Sequence, residues 1–136
     1  MSGIIGSAGS KSGVIGETTM RYEEGSFTPT FGTSSGAGGS EITVSPAGKA
    51  YYIRNGSMVT IFVQWSGSWS GTITTIRNLP FNVDQPTAGY SLGNVLNNST
   101  GNSAITRFED TEWMYVLYTA SGNLHIATGS YITDSP

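Results

Sequence analysis

Apolar runs of strand length divide the sequence, and short stretches of Gly, Ser, Asn and Pro separate them at intervals of roughly 8–12 residues. This spacing is typical of a β-sandwich or a β-barrel. No stretch of about ten residues carries the i, i+3, i+4 apolar stripe of a helix that packs on a core. The pattern therefore predicts an all-β fold, an antiparallel β-sandwich of jelly-roll-like type with at most a helical turn.

The composition limits how such a chain builds its core. Gly, Ser and Thr supply 55 of the 136 residues and apolar residues only 37%, whereas aromatic residues reach 11%. The core is therefore expected to consist of a few large side chains in a single domain. The absence of Cys and the presence of only one His exclude a Cys/His zinc site and a disulfide scaffold. Acidic residues outnumber basic residues by nine to six, which argues against nucleic acid as a partner.

The sequence also bears on where the protein works. No apolar run approaches the ~20 residues of a membrane span, so we expect no membrane insertion. The first 16 residues lack the apolar stretch of a secretion signal. The protein is therefore expected to remain in the compartment of its synthesis until it is assembled.

The N-terminal segment is too rich in Gly and Ser to form a core of its own. It carries two apolar pairs ten residues apart, Ile4-Ile5 and Val14-Ile15, each flanked by Gly. Because ordering glycine costs backbone entropy, this segment is either a disordered leader or an arm that becomes ordered by packing against another surface, such as neighbouring subunits. Exposed apolar pairs favour the second alternative. We predict a docking arm over residues 1–19 and a folded knob over residues 20–136.

A β-hairpin is predicted around Asn55-Gly56, a dipeptide favoured in type I′ turns, between the runs 50–54 and 58–65. Period-two alternation in the second run places Val59, Ile61, Val63 and Trp65 on one face and Met58, Thr60, Phe62 and Gln64 on the other. Both faces therefore carry apolar groups. Such a strand belongs in the middle of a sandwich, or in a sheet whose outer face meets another chain.

The remaining strands are predicted from β-rich runs between turn residues. A first strand is expected within residues 20–31, and others at 72–77, 90–96, 103–109 and 112–118. A hairpin turn at Ser121-Gly122-Asn123 is expected to precede two short final strands, 124–128 and 130–133. Pro80 should end the strand before it because it has no N–H, and Phe81 should close one end of the core.

Trp69 is the one aromatic residue for which we predict an exposed ring. The other rings are expected in the core, because a domain with few aliphatic residues must bury its aromatic side chains. Trp69 lies in a predicted turn between Ser and Gly residues. It is therefore the candidate for a receptor contact, such as stacking on the face of a sugar.

His125 and two acidic groups are the remaining candidates for chemistry. His125 is expected to point away from its apolar neighbours, as a surface or subunit-contact residue that would be pH-sensitive if three copies met on an axis. The acidic groups are Glu23-Glu24 and Glu109-Asp110 with Glu112. A hydrolase or a calcium site would require such carboxylates to converge, which the sequence does not indicate.

No cofactor, metal site or catalytic residue is predicted. The segment around Lys11 lacks the Gly that precedes the Lys in a phosphate-binding loop, and no strand and helix flank it. The acidic groups are more often solvated, or paired with Arg, than catalytic. A hydrolase therefore remains the least favoured alternative.

Five segments stand out together: GSKSGVIGE at 9–17, YEEGSFTPTF at 22–31, YIRNGSMVT at 52–60, NLPF at 78–81 and GSYITD at 129–134. They resemble a family of small tail-fibre and virion-surface proteins of tailed bacteriophages. In that family an S-K-S-G-V-I-G arm leads to a Y-E-E-G-x-[WF]-T-P strand, then to a G-x-Y-x-x-x-G-x-x-V hairpin and an L-P-F corner. Here Phe27 stands where Trp is commoner, and Ala50 stands where the family has Gly.

The resemblance implies a virion structural protein without catalytic activity, generally a homotrimer of β-sandwich subunits. Such a chain assembles in the bacterial cytoplasm onto other phage structural proteins of the capsid or tail. It would dock through Ile4, Ile5, Val14 and Ile15 of its arm and display the knob outward as a fibre, spike or capsid decoration. The alternative is a tail-fibre tip that attaches to a host surface glycan through Trp69.

Overall fold

The chain is all-β in the computed structural model, which describes residues 21–33, 40–84, 92–109, 113–117 and 119–133. Within these ranges there are ten strands and no helix, and so no helix long enough to cross a membrane. The strands are β1 (Tyr22–Phe27), β2 (Thr30–Gly32), β3 (Glu41–Ile42), β4 (Lys49–Asn55), β5 (Met58–Trp65), β6 (Thr75–Arg77), β7 (Leu92–Asn97), β8 (Asn102–Glu109), β9 (Trp113–Tyr115) and β10 (His125–Ile132). The predicted all-β class is confirmed.

The strands form one antiparallel sheet in the order β1-β4-β5-β10-β7-β8-β9-β6-β2-β3. The first six strands are six to eight residues long and make up what we call the long section. The last four have two or three residues each and make up the short section. β8 connects the two sections, because Asn102–Arg107 pair with β7 whereas Phe108 and Glu109 pair with β9.

The sheet curls into a half-barrel, so that the short section covers one face of the long section. Phe31 on β2 contacts Trp65 on β5, with ring centroids 5.1 Å apart, although these strands are distant in the sheet order. Ser45, after β3, and Ser68, after β5, exchange two backbone hydrogen bonds of 3.1 and 2.8 Å. The core therefore lies inside the curl.

The core consists mainly of aliphatic side chains, most of them β-branched, together with a few large rings, so the prediction of a core built from a few large side chains is wrong. Its largest fully buried side chains are Trp65, Tyr131, Phe108, Ile61, Ile73, Ile76, Met114, His125, Val59, Val63, Val83 and Val95. The rings lie close to the sheet where β10 and β7 pair through two glycines, Gly129 and Gly93. A Cβ atom on Gly129 would lie 2.7 Å from the Phe108 ring, and one on Gly93 would lie 2.6 Å from the Met114 methyl group. Larger residues at these two positions would push the core apart.

The segment around Phe81 closes one end of the core, as predicted. Its carbonyl accepts a hydrogen bond of 2.9 Å from the Tyr131 hydroxyl. Its ring meets the Tyr52 ring edge-on at 5.3 Å and lies 4.6 Å from the guanidinium carbon of Arg54. Asn78 turns the chain into this corner in the left-handed conformation, with φ of 64°. The ring of Phe81 therefore covers Arg54, which is only 4% exposed.

Two local predictions at the start of the chain are wrong in detail. The expected first strand is two strands, β1 and β2, which are separated at Thr28-Pro29 because proline has no N–H to donate to a ladder. The turn between β4 and β5 consists of Gly56-Ser57 rather than Asn55-Gly56, since Asn55 pairs with Met58. Gly56 has a φ of 63°, which suits a type II′ turn with glycine in its first central position.

The C-terminal prediction also requires correction. The two expected final strands are one continuous strand, β10, which pairs with β5 on one side and with β7 on the other. Ser121-Gly122-Asn123 does form a turn, in which Gly122 has a φ of 83°. It is not a hairpin turn, because β9 pairs with β8 and β6 and not with β10.

Candidate functional site

A large apolar surface is left uncovered on the face of the long section that points away from the core, which we call the outer face. Its seven large apolar residues are Tyr22 on β1, Tyr51 and Ile53 on β4, Met58 and Phe62 on β5, Ile126 on β10 and Ile105 on β8. Their exposed fractions range from 39% to 71%. A single copy of the chain therefore leaves these groups in contact with water.

Strand pairing aligns the outer-face side chains in rows. The central row crosses the long section from β1 to β8 through Ser26, Tyr51, Phe62, Thr128, Asn94 and Ile105. In a neighbouring row Ile53 lies opposite Thr60, whose hydroxyl is 2.7 Å from that of Ser130. Because neighbouring strands lie about 4.8 Å apart, the rows form a continuous surface across six strands.

The size of this surface is close to that of a protein–protein interface. At about 200 Å² for a fully exposed side chain of this class, the seven residues present about 700 Å² to solvent. Isolated soluble proteins rarely expose apolar patches above about 300–600 Å². A stable interface buries about 800 Å² per partner. The outer face thus has the extent and the chemistry of a surface that another protein covers.

The outer face is concave near β1. A groove of about 460 Å³ is lined by Glu24, Gly25, Ser26, Tyr51, Tyr52, Ile53 and Phe62. A second depression of about 340 Å³, lined by Lys49, Tyr51, Phe62, Val63, Gln64 and Ile126, lies on the other side of the Tyr51–Phe62 pair. The small side chain of Ser26, which lies opposite Tyr51, leaves room beside the Tyr51 ring, so the groove has an apolar wall and a polar rim.

The rim of this groove is acidic. The Tyr22 hydroxyl donates a hydrogen bond of 2.8 Å to Glu24, and this contact raises the pKa of Tyr22. On the opposite face of β1, the Tyr52 hydroxyl donates a bond of 3.2 Å to Glu23, which also pairs with Arg21 at 3.0 Å. Burial, followed by the contact with Glu23, raises the pKa of Tyr52. Both phenols therefore remain protonated donors at neutral pH.

The sequence predicted only part of this surface. The alternation in β5 is confirmed, with Val59, Ile61, Val63 and Trp65 buried and Met58, Phe62 and Gln64 exposed. Tyr51, Ile53, Ile126, Tyr22 and Ile105 were not predicted as members of an outer face. A signal for the first two was present, because both alternate with Ala50, Tyr52 and Arg54 in a strand that pairs with β5.

Trp69 does not occupy the exposed position predicted for it. Its side chain is half-buried and packs against the core, with its ring 5.5 Å from that of His125. Its backbone N–H donates a 2.9 Å hydrogen bond to the Ser121 hydroxyl. Tyr51 and Tyr22, at 61% and 59%, are far more exposed rings, so the prediction that the rings other than Trp69 lie in the core is wrong for these two. Contact of Trp69 with a receptor stays a prediction. In the described structure the ring packs against the core.

His125 is buried, with 0% of its surface exposed, so the prediction of a surface or subunit-contact position is wrong. Its ring stacks on Trp65 at 4.9 Å with an interplanar angle of 12°. The Ala120 N–H donates a 3.1 Å hydrogen bond to Nε2, which assigns the proton of the neutral ring to Nδ1. Burial lowers the pKa of His125, and backbone groups of Asn123 and Trp65 only partly offset this effect.

The acidic residues do not form a catalytic or metal-binding group in the part of the chain that the structure describes. Glu23 and Glu24 point to opposite faces of β1 and each accepts a hydrogen bond from a tyrosine. No cluster of three or more acidic or histidine side chains that could hold a metal ion occurs among the described residues. Asp110 and Glu112 lie outside the described ranges, as do the predicted docking residues Ile4, Ile5, Val14 and Ile15.

Comparison of the chain with protein-family models finds no match, and neither does comparison with curated protein sequences.

Proposed function

We propose that the protein is a structural component of a tailed-bacteriophage virion, a fibre, spike or capsid decoration that assembles as a homotrimer. The arm over residues 1–19 docks on the capsid or tail, and the knob is displayed outward. The two sections of the curled sheet serve as the two layers of the jelly-roll-like sandwich expected for this family. The protein acts by assembly rather than by chemical turnover.

The outer face is the observation that carries this proposal. Seven large apolar side chains stay exposed on one face of the long section, while the same strands bury their opposite face completely enough to form a core. Symmetric assembly buries surface that the monomer exposes to water. The favourable free energy of association is proportional to the apolar area removed from water. The resemblance in the arm, the first strand and the L-P-F corner points to the virion as the assembly concerned.

The arm supplies the attachment to the particle. Ile4, Ile5, Val14 and Ile15 are apolar pairs within a Gly-rich segment. Each contributes about 1.5–3 kcal/mol when fully buried, and three arms act together in a trimer. A trimer therefore holds to a particle through contacts that would be weak for a single arm.

The test is incorporation into phage particles. Deletion of residues 1–16 should leave a folded, trimeric knob that no longer co-purifies with particles, whereas a substitution at an exposed site outside the outer face, Thr43→Ala, should be incorporated normally. A cryo-EM map of the particle would place the knob. Full incorporation of the deleted chain would refute the docking role, and absence of the wild-type chain from purified particles would refute the proposed function.

A further inference from the structure

The outer face has two unlike ends. At the β1 end it is concave, because the small side chain of Ser26 leaves the groove open beside Tyr51 and Phe62. At the β8 end Ile105 lies at the edge of a smaller depression of about 260 Å³, which Thr106, Arg107, Tyr115 and Leu117 also line. Ile105 is 71% exposed, the highest value among the large apolar side chains that the structure describes. Its neighbours on the face, Asn94 across the ladder and Ser103 along the strand, are small or polar, so the isoleucine stands clear of them.

The two ends also differ in charge. Glu24 lies on the rim of the groove at the β1 end. Arg107 lies next to Ile105 on the same side of β8, with its guanidinium over the Tyr115 ring at 4.9 Å. A groove with the Glu24 carboxylate on its rim and an exposed isoleucine beside the Arg107 guanidinium are complementary to each other, and complementary charge fixes the register in which surfaces meet.

We propose that the β8 end of one copy, with Ile105 and Arg107, docks into the groove at the β1 end of the next copy, beside Tyr51, Phe62 and Glu24. This inference rests on the proposed function, because it assigns the surfaces through which the proposed trimer forms. The contact is heterologous, since two different surface patches meet. Heterologous contacts close into a ring when the rotation between copies allows it, and three copies then leave neither end free.

The area of the outer face supports a second copy of the chain as the partner that covers it. About 700 Å² of exposed large apolar residues is divided between the groove end and the Ile105 end. In a ring each copy uses its two ends in two separate contacts, so each contact buries about 350 Å² of these side chains per copy, and the polar side chains around them add to this area. All seven side chains are covered when the ring closes. Both complementary surfaces are on the chain itself, so no other partner is required.

The proposal can be tested with disulfides, because the natural chain has no Cys. Tyr51 and Ile105 lie in the same row but four strand spacings apart, which is about 19 Å. A disulfide requires Cα atoms within about 7 Å, so a Tyr51→Cys/Ile105→Cys chain cannot close a bond within itself. A bond between these positions would therefore report a contact between copies.

Oxidation of the Tyr51→Cys/Ile105→Cys protein should give a covalent trimer on a non-reducing gel. Either single variant should stay uncrosslinked, and so should the matched control Thr43→Cys/Ile105→Cys, in which the exposed Thr43 lies outside the outer face. Circular dichroism before oxidation checks that each variant is folded. Ile53→Cys/Ile105→Cys offers a second pair on the same groove if Tyr51 does not tolerate replacement.

A charge exchange gives an independent readout. Glu24→Lys and Arg107→Glu should each raise the dissociation constant of the assembly at least tenfold, and the double variant should recover most of the wild-type affinity. Rescue by the double variant is the result that a merely structural role for either residue would not produce.

The outcomes separate this inference from the proposed function. Cross-linking of the single Ile105→Cys or Tyr51→Cys variant into dimers would mean that like surfaces meet, which overturns the heterologous contact. A wild-type trimer in which neither Cys pair cross-links, and in which the double charge exchange gives no rescue, would overturn the assigned surfaces while leaving the trimer in place. A wild-type protein that stays monomeric overturns both.

Discussion

The two faces of β5 have nearly the same chemistry and opposite environments. Ile61 and Val63 on the inner face are 0% and 1% exposed, whereas Phe62 between them is 45% exposed and Met58 is 50% exposed. The inner face is covered because the sheet curls and brings Phe31 of the short section over Trp65. Nothing in the described part of the chain covers the outer face in this way. The difference shows that β5 carries apolar groups on both of its faces, of which the described fold covers one.

Replacement of Ile61 by Ala should have the largest effect, because it acts on the face that the chain itself covers. Loss of three buried carbon atoms leaves a cavity, and we expect the free energy of unfolding to fall by about 2–5 kcal/mol. Urea denaturation of the variant in an Ile105→Asp background, which should be monomeric, removes the contribution of assembly. A loss below about 1 kcal/mol would contradict the tight inner face described above.

Replacement of Gly129 by Ala should have the next largest effect. The added methyl group would lie 2.7 Å from the Phe108 ring and 2.9 Å from the Gly93 Cα, where the neighbours have little room to move. Overfilling of this kind costs about 1–3 kcal/mol. The matched control is Asn94→Ala, which lies next to Gly93 but on the outer face and is exposed. Equal stability of the two variants would show that β10 and β7 do not approach the core rings as closely as described.

A third prediction concerns pH and the buried ring of His125. Burial lowers the pKa of His125 below the usual 6.5. Below pH 6.5 the unfolded chain therefore binds a proton at this residue more readily than the folded chain does. Its contribution to stability is full above pH 6.5 and declines as the pH falls from 6.5 towards the folded pKa, at no more than about 1.4 kcal/mol per pH unit. Protonation of Nε2 would also break the hydrogen bond from the Ala120 N–H.

The measurement is the pH dependence of the urea midpoint between pH 7 and 5, compared with that of His125→Gln. Protonation of His125 should also quench the fluorescence of Trp65, because the two rings are stacked. Subtraction of the variant profile removes the contribution of the carboxylates, which titrate in both proteins. A His125-dependent gain in stability on acidification would mean that the ring is charged in the folded state, in contradiction to this account.

Replacement of Phe62 by Ser should have the smallest effect on the fold. In the monomeric Ile105→Asp background we expect a change in the free energy of unfolding below about 1 kcal/mol, since the side chain is half exposed and loses only cross-strand contacts with Tyr51 and Thr128. The same urea titration compares it directly with Ile61→Ala at the neighbouring position. A loss as large as that of Ile61→Ala would mean that the outer face is already covered within one copy.

The all-β class and the faces of β5 could be predicted from the sequence because both depend on short-range pattern. Strand length, turn residues and period-two alternation are local properties. The pairing register was less accessible, because it depends on which residues form the turn. A loop at Asn55-Gly56 would have set Tyr51 opposite Thr60, whereas the loop at Gly56-Ser57 sets it opposite Phe62 and so brings these two exposed rings together.

The position of His125 was mispredicted for a related reason. In Leu124-His125-Ile126 the alternation predicts that the two apolar residues are buried and that His125 is exposed. Ile126 instead lies on the outer face at 42% exposure. When both faces of a strand carry apolar residues, the alternation does not indicate which face is buried in the core. Trp69 was mispredicted because the contact that half-buries it, with the ring of His125, joins residues far apart in the sequence.

The continuous curled sheet and the outer face as a whole could not be predicted, because both are products of long-range pairing. β10 lies between β5 and β7, and β6 lies between β9 and β2, in an order that no local pattern encodes. Ile105 and Phe62 share one row only through that order.

The molar mass of the purified chain at micromolar concentration tests the central claim most directly. Sedimentation equilibrium should give three times 14.3 kDa for the wild-type protein, and 14.3 kDa for Phe62→Asp with an unchanged circular dichroism spectrum. In that outcome the outer face holds copies together and the inner face holds each copy folded. A wild-type mass of 14.3 kDa under the same conditions, equal to that of Phe62→Asp, would contradict the account.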